Sequence, residues 1–115
     1  MQQAMLVGPR IVRGVRLLDV YFGEREDWRA KINRSRLDMS CYYTCALGHI
    51  FGDFPKGCAA LWMNPHSPDP YRHGFNVRDS RTSEAAREYQ ALNQGWCMML
   101  DGASLEELLK FKIAA

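Results

Sequence analysis

The side chains able to ligate a metal or attack a substrate in this chain of 115 residues are four cysteines and three histidines, and three of these seven keep step: Cys41, Cys45 and His49 are spaced by four. If the stretch from Asp38 to Phe51 is helical, the three line one side of it. One ion cannot hold all three, because eight residues of helix separate the outer Cα atoms by about 12 Å, whereas metal–ligand bonds measure about 2.0–2.3 Å. Two neighbours could chelate if Cys58, His66, His73 or Cys97 supplied the rest, yet none of these gives the C-x2-C or H-x3-H spacing of a structural zinc module. Small buried thiols are the simpler role. An i, i+4 placement within one helix does not favour a redox pair either. No local signature selects a Cys–His nucleophilic site. The expectation is therefore no catalytic residue, no metal ligand and no cofactor, with a zinc-binding protein or enzyme as a secondary alternative.

Charge offers a different chemistry. Residues 1–36 carry eight basic side chains against four acidic ones, 37–75 carry two against three, and 76–115 carry five against six. The excess lies at the front, in Arg10, Arg13, Arg16, Arg25, Arg29, Lys31, Arg34 and Arg36. Interleaved Asp19, Glu24, Glu26 and Asp27 reduce the field, and a pI of 8.4 falls short of the value above about 9 expected of a nucleic-acid-binding domain. A solvated helix face with local ion pairs is the plainer account. Nucleic-acid binding through this Arg-rich helix stands as the first alternative function.

Aromatic groups gather where the regular pattern stops. The segment Asn64-Pro65-His66-Ser67-Pro68-Asp69-Pro70 holds three prolines and reads as neither helix nor central strand. The loop is expected to run over about 63–80, with Trp62, Tyr71 and Phe75 beside His66 and His73. These aromatics either pin the loop to the core or meet a partner, and in the second case Trp62 and Tyr71 belong at the centre of the contact.

The elements that must position these groups read as helices. Residues 1–8 lack periodicity and form a flexible lead-in. Pro9 suits a first helical turn, Ile11, Val15, Leu18 and Phe22 share one face with Arg10, Arg13 and Arg16 largely off it, and Gly23 stops the helix. Residues 24–35 hold only Trp28 and Ile32 as apolar anchors, in a short helix or an irregular segment. Asp38 or Ser40 is the expected N-cap of the central helix, whose stripe is Tyr43, Leu47 and Ile50 and whose stop is Gly52. Within it Gly48 costs about 1 kcal/mol, tolerable where another backbone comes close. Lys56 to Trp62 suits a short helix with Cys58, Leu61 and Trp62 inward. Thr82 or Ser83 caps a helix with Ala85, Tyr89, Leu92, Trp96 and Met99 on one face, and Ser104 with Glu107 forms a capping box ahead of Leu105, Leu108, Leu109 and Ile113.

The resulting fold class is all-α: a small single-domain helical bundle of about four to five helices over residues 9–113. At 47% apolar and 24% charged the composition is that of a globular domain. The longest apolar patches, around Met5 to Val7 and Trp96 to Leu100, fall far below the roughly 20 residues needed to span a bilayer. With no secretory signal visible at the N-terminus, cytoplasmic residence and reduced thiols are expected.

Several short motifs also look familiar in their order: Gly14-Val15-Arg16-Leu17-Leu18-Asp19, Trp28, Leu37-Asp38-Met39-Ser40, Cys45-Ala46-Leu47-Gly48-His49-Ile50-Phe51-Gly52, His73-Gly74-Phe75 and Tyr89 to Trp96. Over about residues 11–97 the chain resembles a group of small uncharacterised proteins encoded by bacteriophages of actinobacteria and by their hosts. That pattern keeps only the second cysteine, so Cys41, Cys58 and Cys97 depart from it. The resemblance implies a small accessory protein of phage origin and supplies no activity. The combined expectation is a non-enzymatic protein that binds a host or phage protein, with Arg13, Arg16, Trp62 and Tyr71 as the contact residues.

Overall fold

Proline in the first turn and apolar residues at three- and four-residue spacing produce the first long helix, α1 (Gly8–Phe22), in this computed structural model, which describes residues 5–112. Ile11, Val12, Val15, Leu18 and Phe22 form its buried stripe, and Gly23 ends it at φ 56° with its N–H on the Asp19 carbonyl. Two single 3-10 turns follow, Trp28–Lys31 and Arg34–Arg36. Trp28 is buried, and its Nε1 donates to Asp19 Oδ1 at 2.9 Å, tying this irregular segment back to α1.

The short helices α2 (Ala46–Phe51) and α3 (Phe54–Ala60) pack on each other, with Asp53 capping α3 through its side chain. A single turn, α4 (Asp69–Arg72), precedes the second long helix, α5 (Ala85–Leu100). Ser104 and Glu107 make both hydrogen bonds of a capping box at the start of α6 (Leu105–Leu109). Among the described residues there is no β-strand, so the all-α class holds. Only α1 and α5 exceed two turns; α1, α5 and α6 pack against one another. The Cα radius of gyration of 13.1 Å matches the roughly 13 Å of a compact domain this size, and the buried apolar side chains form one connected cluster.

Five expectations need correction. The central helix does not begin at Asp38 or Ser40: the Asp38 carboxylate accepts from the Ser40 N–H and hydroxyl, residues 38–45 turn back on themselves, and Cys45 is the N-cap of α2. The lead-in is packed from Val7 onward, since Val7 is fully buried and the Gly8 N–H donates to the Phe111 carbonyl at 3.2 Å. The proline-rich segment contains one helical turn, because Pro70 sits in the first turn of α4, where no N–H is needed. Trp62 points outward, whereas Cys58 and Leu61 face the core as read. Thr82 and Ser83 do not cap α5, which starts after Glu84. Ile113 lies outside the described residues.

Candidate partner-binding groove

The site starts from a charge in the wrong place. Glu88 occupies the apolar face of α5 between Ala85 and Leu92 and is buried there. A lone buried carboxylate would be strongly destabilising, and its counterion is Arg10 of α1, also buried rather than turned off the apolar face as its spacing implied. Arg10 Nη2 meets Glu88 Oε2 at 2.8 Å, with both side chains about nine-tenths covered.

The same guanidinium then organises the segment between α4 and α5. Its Nε donates to the Tyr71 carbonyl at 2.9 Å, its Nη2 to the Asn76 carbonyl at 2.8 Å, and its Cζ stacks 4.1 Å from the centre of the Tyr71 ring. Glu88 Oε2 accepts a second bond, from the Arg78 N–H at 2.9 Å. One ion pair thus fixes the backbone at 71, 76 and 78. Gly74 completes the attachment at φ 71°: a Cβ there would lie 2.8 Å from Ile11 N and Cα, and its carbonyl accepts from Trp96 Nε1 at 2.7 Å.

Held in this way, the segment walls a groove of about 840 Å³. Its aromatic members are Tyr42 and Tyr71, its basic ones Arg72, Arg78 and Arg81, with His66 at the edge and Asp79 as the one carboxylate. Tyr42 is 59% exposed and stacks on Phe54, ring centres 5.4 Å apart. Asp79 receives Arg81 Nε at 3.1 Å and Nη2 at 3.3 Å, and the Arg81 guanidinium holds the Asp79 carboxyl below its ordinary range.

Of the four contact residues expected from sequence, Tyr71 lines the groove and Arg13 lies close by, donating from Nε to the Arg72 carbonyl at 2.7 Å. Arg16 is exposed farther along α1. Trp62 stands apart: no hydrogen bond, ion pair or ring contact joins it to the other three among the described residues. Tyr42, Arg78 and Arg81 were not foreseen. Of these, Arg78 is placed by the Arg10–Glu88 pair, for which an acid on the apolar stripe of α5 was the available sign.

Six of the eight front-end cations are spent on the fold. Besides Arg10 and Arg13, Arg25 donates to the Phe22 and Tyr21 carbonyls, Arg29 binds Asp19, Lys31 binds Glu26 and Arg34 binds Asp101 through two bonds of 2.7 and 2.9 Å.

The thiols behave differently from one another. Cys45 caps α2, its Sγ accepting from the Gly48 N–H at 3.3 Å, and burial pushes its pKa to about 11. Cys58 has no exposed surface, and burial pushes it to about 12. Cys41, off any helix, is held below the ordinary thiol value by hydrogen bonds from the Thr44 side chain and the Tyr43 and Thr44 backbone. The thiolate is the nucleophile, so iodoacetamide at neutral pH should alkylate Cys41 well before Cys45 or Cys58, with a rate midpoint below the usual thiol range. Peptide mapping by mass spectrometry checks this, and equal labelling of all three would contradict it. His49 Nδ1 lies 3.1 Å from the Cys45 carbonyl and His73 Nδ1 2.8 Å from the Asp69 carbonyl. Among the described residues no three His, Cys, Asp or Glu side chains converge to hold a metal ion.

No helix among the described residues is long and apolar enough to cross a membrane. Comparison with known proteins finds no matching family model, no matching curated protein and no matching solved structure.

Proposed function

We propose that this is a non-enzymatic accessory protein that binds a protein partner of the host or phage, with Trp62 as an anchor. The observation that carries the reading is the state of Trp62. It is 95% exposed and has φ 61°, the one non-glycine residue described with a positive φ. It follows α3 as the residue after the cap: its N–H bonds to the Ala59 carbonyl and the next N–H, of Met63, reaches back to Cys58. Helices that end in this pattern favour glycine at that position.

Tryptophan here adds backbone strain and buries nothing, so its presence serves something outside the fold. Exposed aromatic groups of this kind are typical energetic centres of protein contacts. The nucleic-acid alternative is the weaker because Arg10, Arg13 and Arg25 bind backbone carbonyls and Arg29, Lys31 and Arg34 each have a carboxylate beside them, and the zinc alternative has no converging ligand set among the described residues. The same reading keeps the protein in the cytosol, with its cysteines as thiols.

Trp62→Gly separates the two roles. Relief of the left-handed conformation returns about 1–2 kcal/mol, and the extra freedom of glycine in the unfolded chain takes back about 0.5–1 kcal/mol. The variant should therefore be about 0.5–1 kcal/mol more stable by urea denaturation. In a pull-down from a lysate of the native host it should lose the partner that the wild-type protein retains. Recovery of the same protein by both forms would end the proposal.

A further inference from the structure

The groove carries a one-sided charge, three arginines against Asp79. Two of these arginines already meet carboxylates of their own chain: Arg81 meets Asp79, and Arg72 lies 3.8 Å from Asp69. Both contacts are solvent-exposed, with the Arg81 side chain at 88%. Pairs of this kind exchange readily, because solvent screens the two charges. Arg78 has no side-chain partner among the described residues. Its backbone, by contrast, is anchored to Glu88 from below, so the guanidinium stands on a fixed support.

We infer that the groove binds an extended acidic peptide, a glutamate- or aspartate-rich stretch of the protein partner, with Arg78 receiving the first carboxylate. The inference rests on the protein-binding reading above. The volume far exceeds what one inorganic anion fills. Two tyrosines on the walls supply apolar area for the peptide between its charged groups, and Trp62, three residues before Pro65, lies within about 11 Å of the rim by chain length. A peptide can set carboxylates opposite the arginines and leave gaps opposite Asp69 and Asp79. A nucleic acid strand leaves fewer such gaps, since every unit carries a phosphate, whereas a peptide can place uncharged residues between its carboxylates. Because the Arg10–Glu88 pair orders the wall beforehand, little ordering cost falls on binding.

Fluorescence anisotropy of the full chain tests this with three labelled probes of about ten units each: a peptide alternating glutamate and serine, its glutamine counterpart, and oligothymidylate. The glutamate peptide should bind saturably, weaken as salt is added, and exceed the glutamine peptide by roughly tenfold or more, as expected for charge-assisted contacts. Arg78→Glu should reduce its affinity by roughly tenfold or more, whereas Arg36→Glu, matched in charge but outside the groove lining, should leave it within about twofold. Melting of both variants by circular dichroism at the wild-type temperature verifies that they fold. Equal binding of the two peptides, no saturable binding at all, or no effect of Arg78→Glu overturns the inference. If a lysate partner is retained by Arg78→Glu but lost by Trp62→Gly, the groove assignment fails while protein binding stands. Oligothymidylate binding more tightly than the glutamate peptide removes both.

Discussion

Trp96→Ala should lower the free energy of unfolding by about 5 kcal/mol. Removing a fully buried tryptophan costs about 3–5 kcal/mol in lost transfer energy and cavity, and Trp96 has no exposed surface. Its ring stacks on Phe75 with centres 5.6 Å apart and meets Trp28 edge-on at 6.4 Å. Its Nε1–H is also the partner of the Gly74 carbonyl, and leaving that buried acceptor alone adds about 1–3 kcal/mol. Domains of this size have about 5–15 kcal/mol in all, so the variant should be near its folding limit at room temperature. Trp96→Phe isolates the polar part: ring packing largely persists, and the loss should fall to about 1–3 kcal/mol. Urea titration followed by circular dichroism measures both, with an unchanged slope expected. A midpoint for Trp96→Phe equal to that of the wild type would remove the hydrogen bond from the explanation.

Glu88→Ala should cost about 3–5 kcal/mol, the usual consequence of stranding one charge of a buried pair. Arg10 would keep its bonds to the Tyr71 and Asn76 carbonyls but lose its counterion, and the Arg78 N–H would lose its acceptor. Glu88→Gln retains an acceptor at the same place and should lose less. A double variant, Arg10→Met with Glu88→Leu, should recover part of the stability lost by Glu88→Ala, since a buried pair replaced by apolar groups is often close to neutral. Recovery will be incomplete because Arg10 also holds two carbonyls. Amide hydrogen exchange supplies the specific readout: protection at Arg78 should collapse in Glu88→Ala while Leu92, in the middle of α5, stays protected. Uniform loss of protection would assign the pair a global role in place of an organising one.

What could be read from the chain followed the range of the interactions involved. Pro9, the stripe from Ile11 to Phe22 and the stop at Gly23 all act within a few residues, and α1 appears with those limits. The capping box of Ser104 and Glu107 is equally local. Gly48 also behaves as expected, since a Cβ there would lie 2.5 Å from the Tyr43 carbonyl carbon. The stretch before it misled because Asp38 and Ser40 are good caps whose side chains are consumed by a turn of their own, leaving a cysteine to take the serine-like role at the head of α2. The groove was the least legible part. Arg10 and Glu88 are 78 residues apart, and periodicity within α1 assigned Arg10 to solvent. Only the acid on the apolar face of α5 pointed to a buried counterion, without saying which arginine would supply it.

The bond from Gly8 to Phe111 has a bearing on how the molecule can be handled. It sets the beginning of α1 against the residues just after α6, so the two described ends of the chain leave from one edge. Segments joined to the chain at these two described ends would therefore start from the same neighbourhood. A short linker could close the chain into a ring, and new termini opened in the exposed turn around residues 23–26 would give a circular permutant that keeps the groove and Trp62 intact.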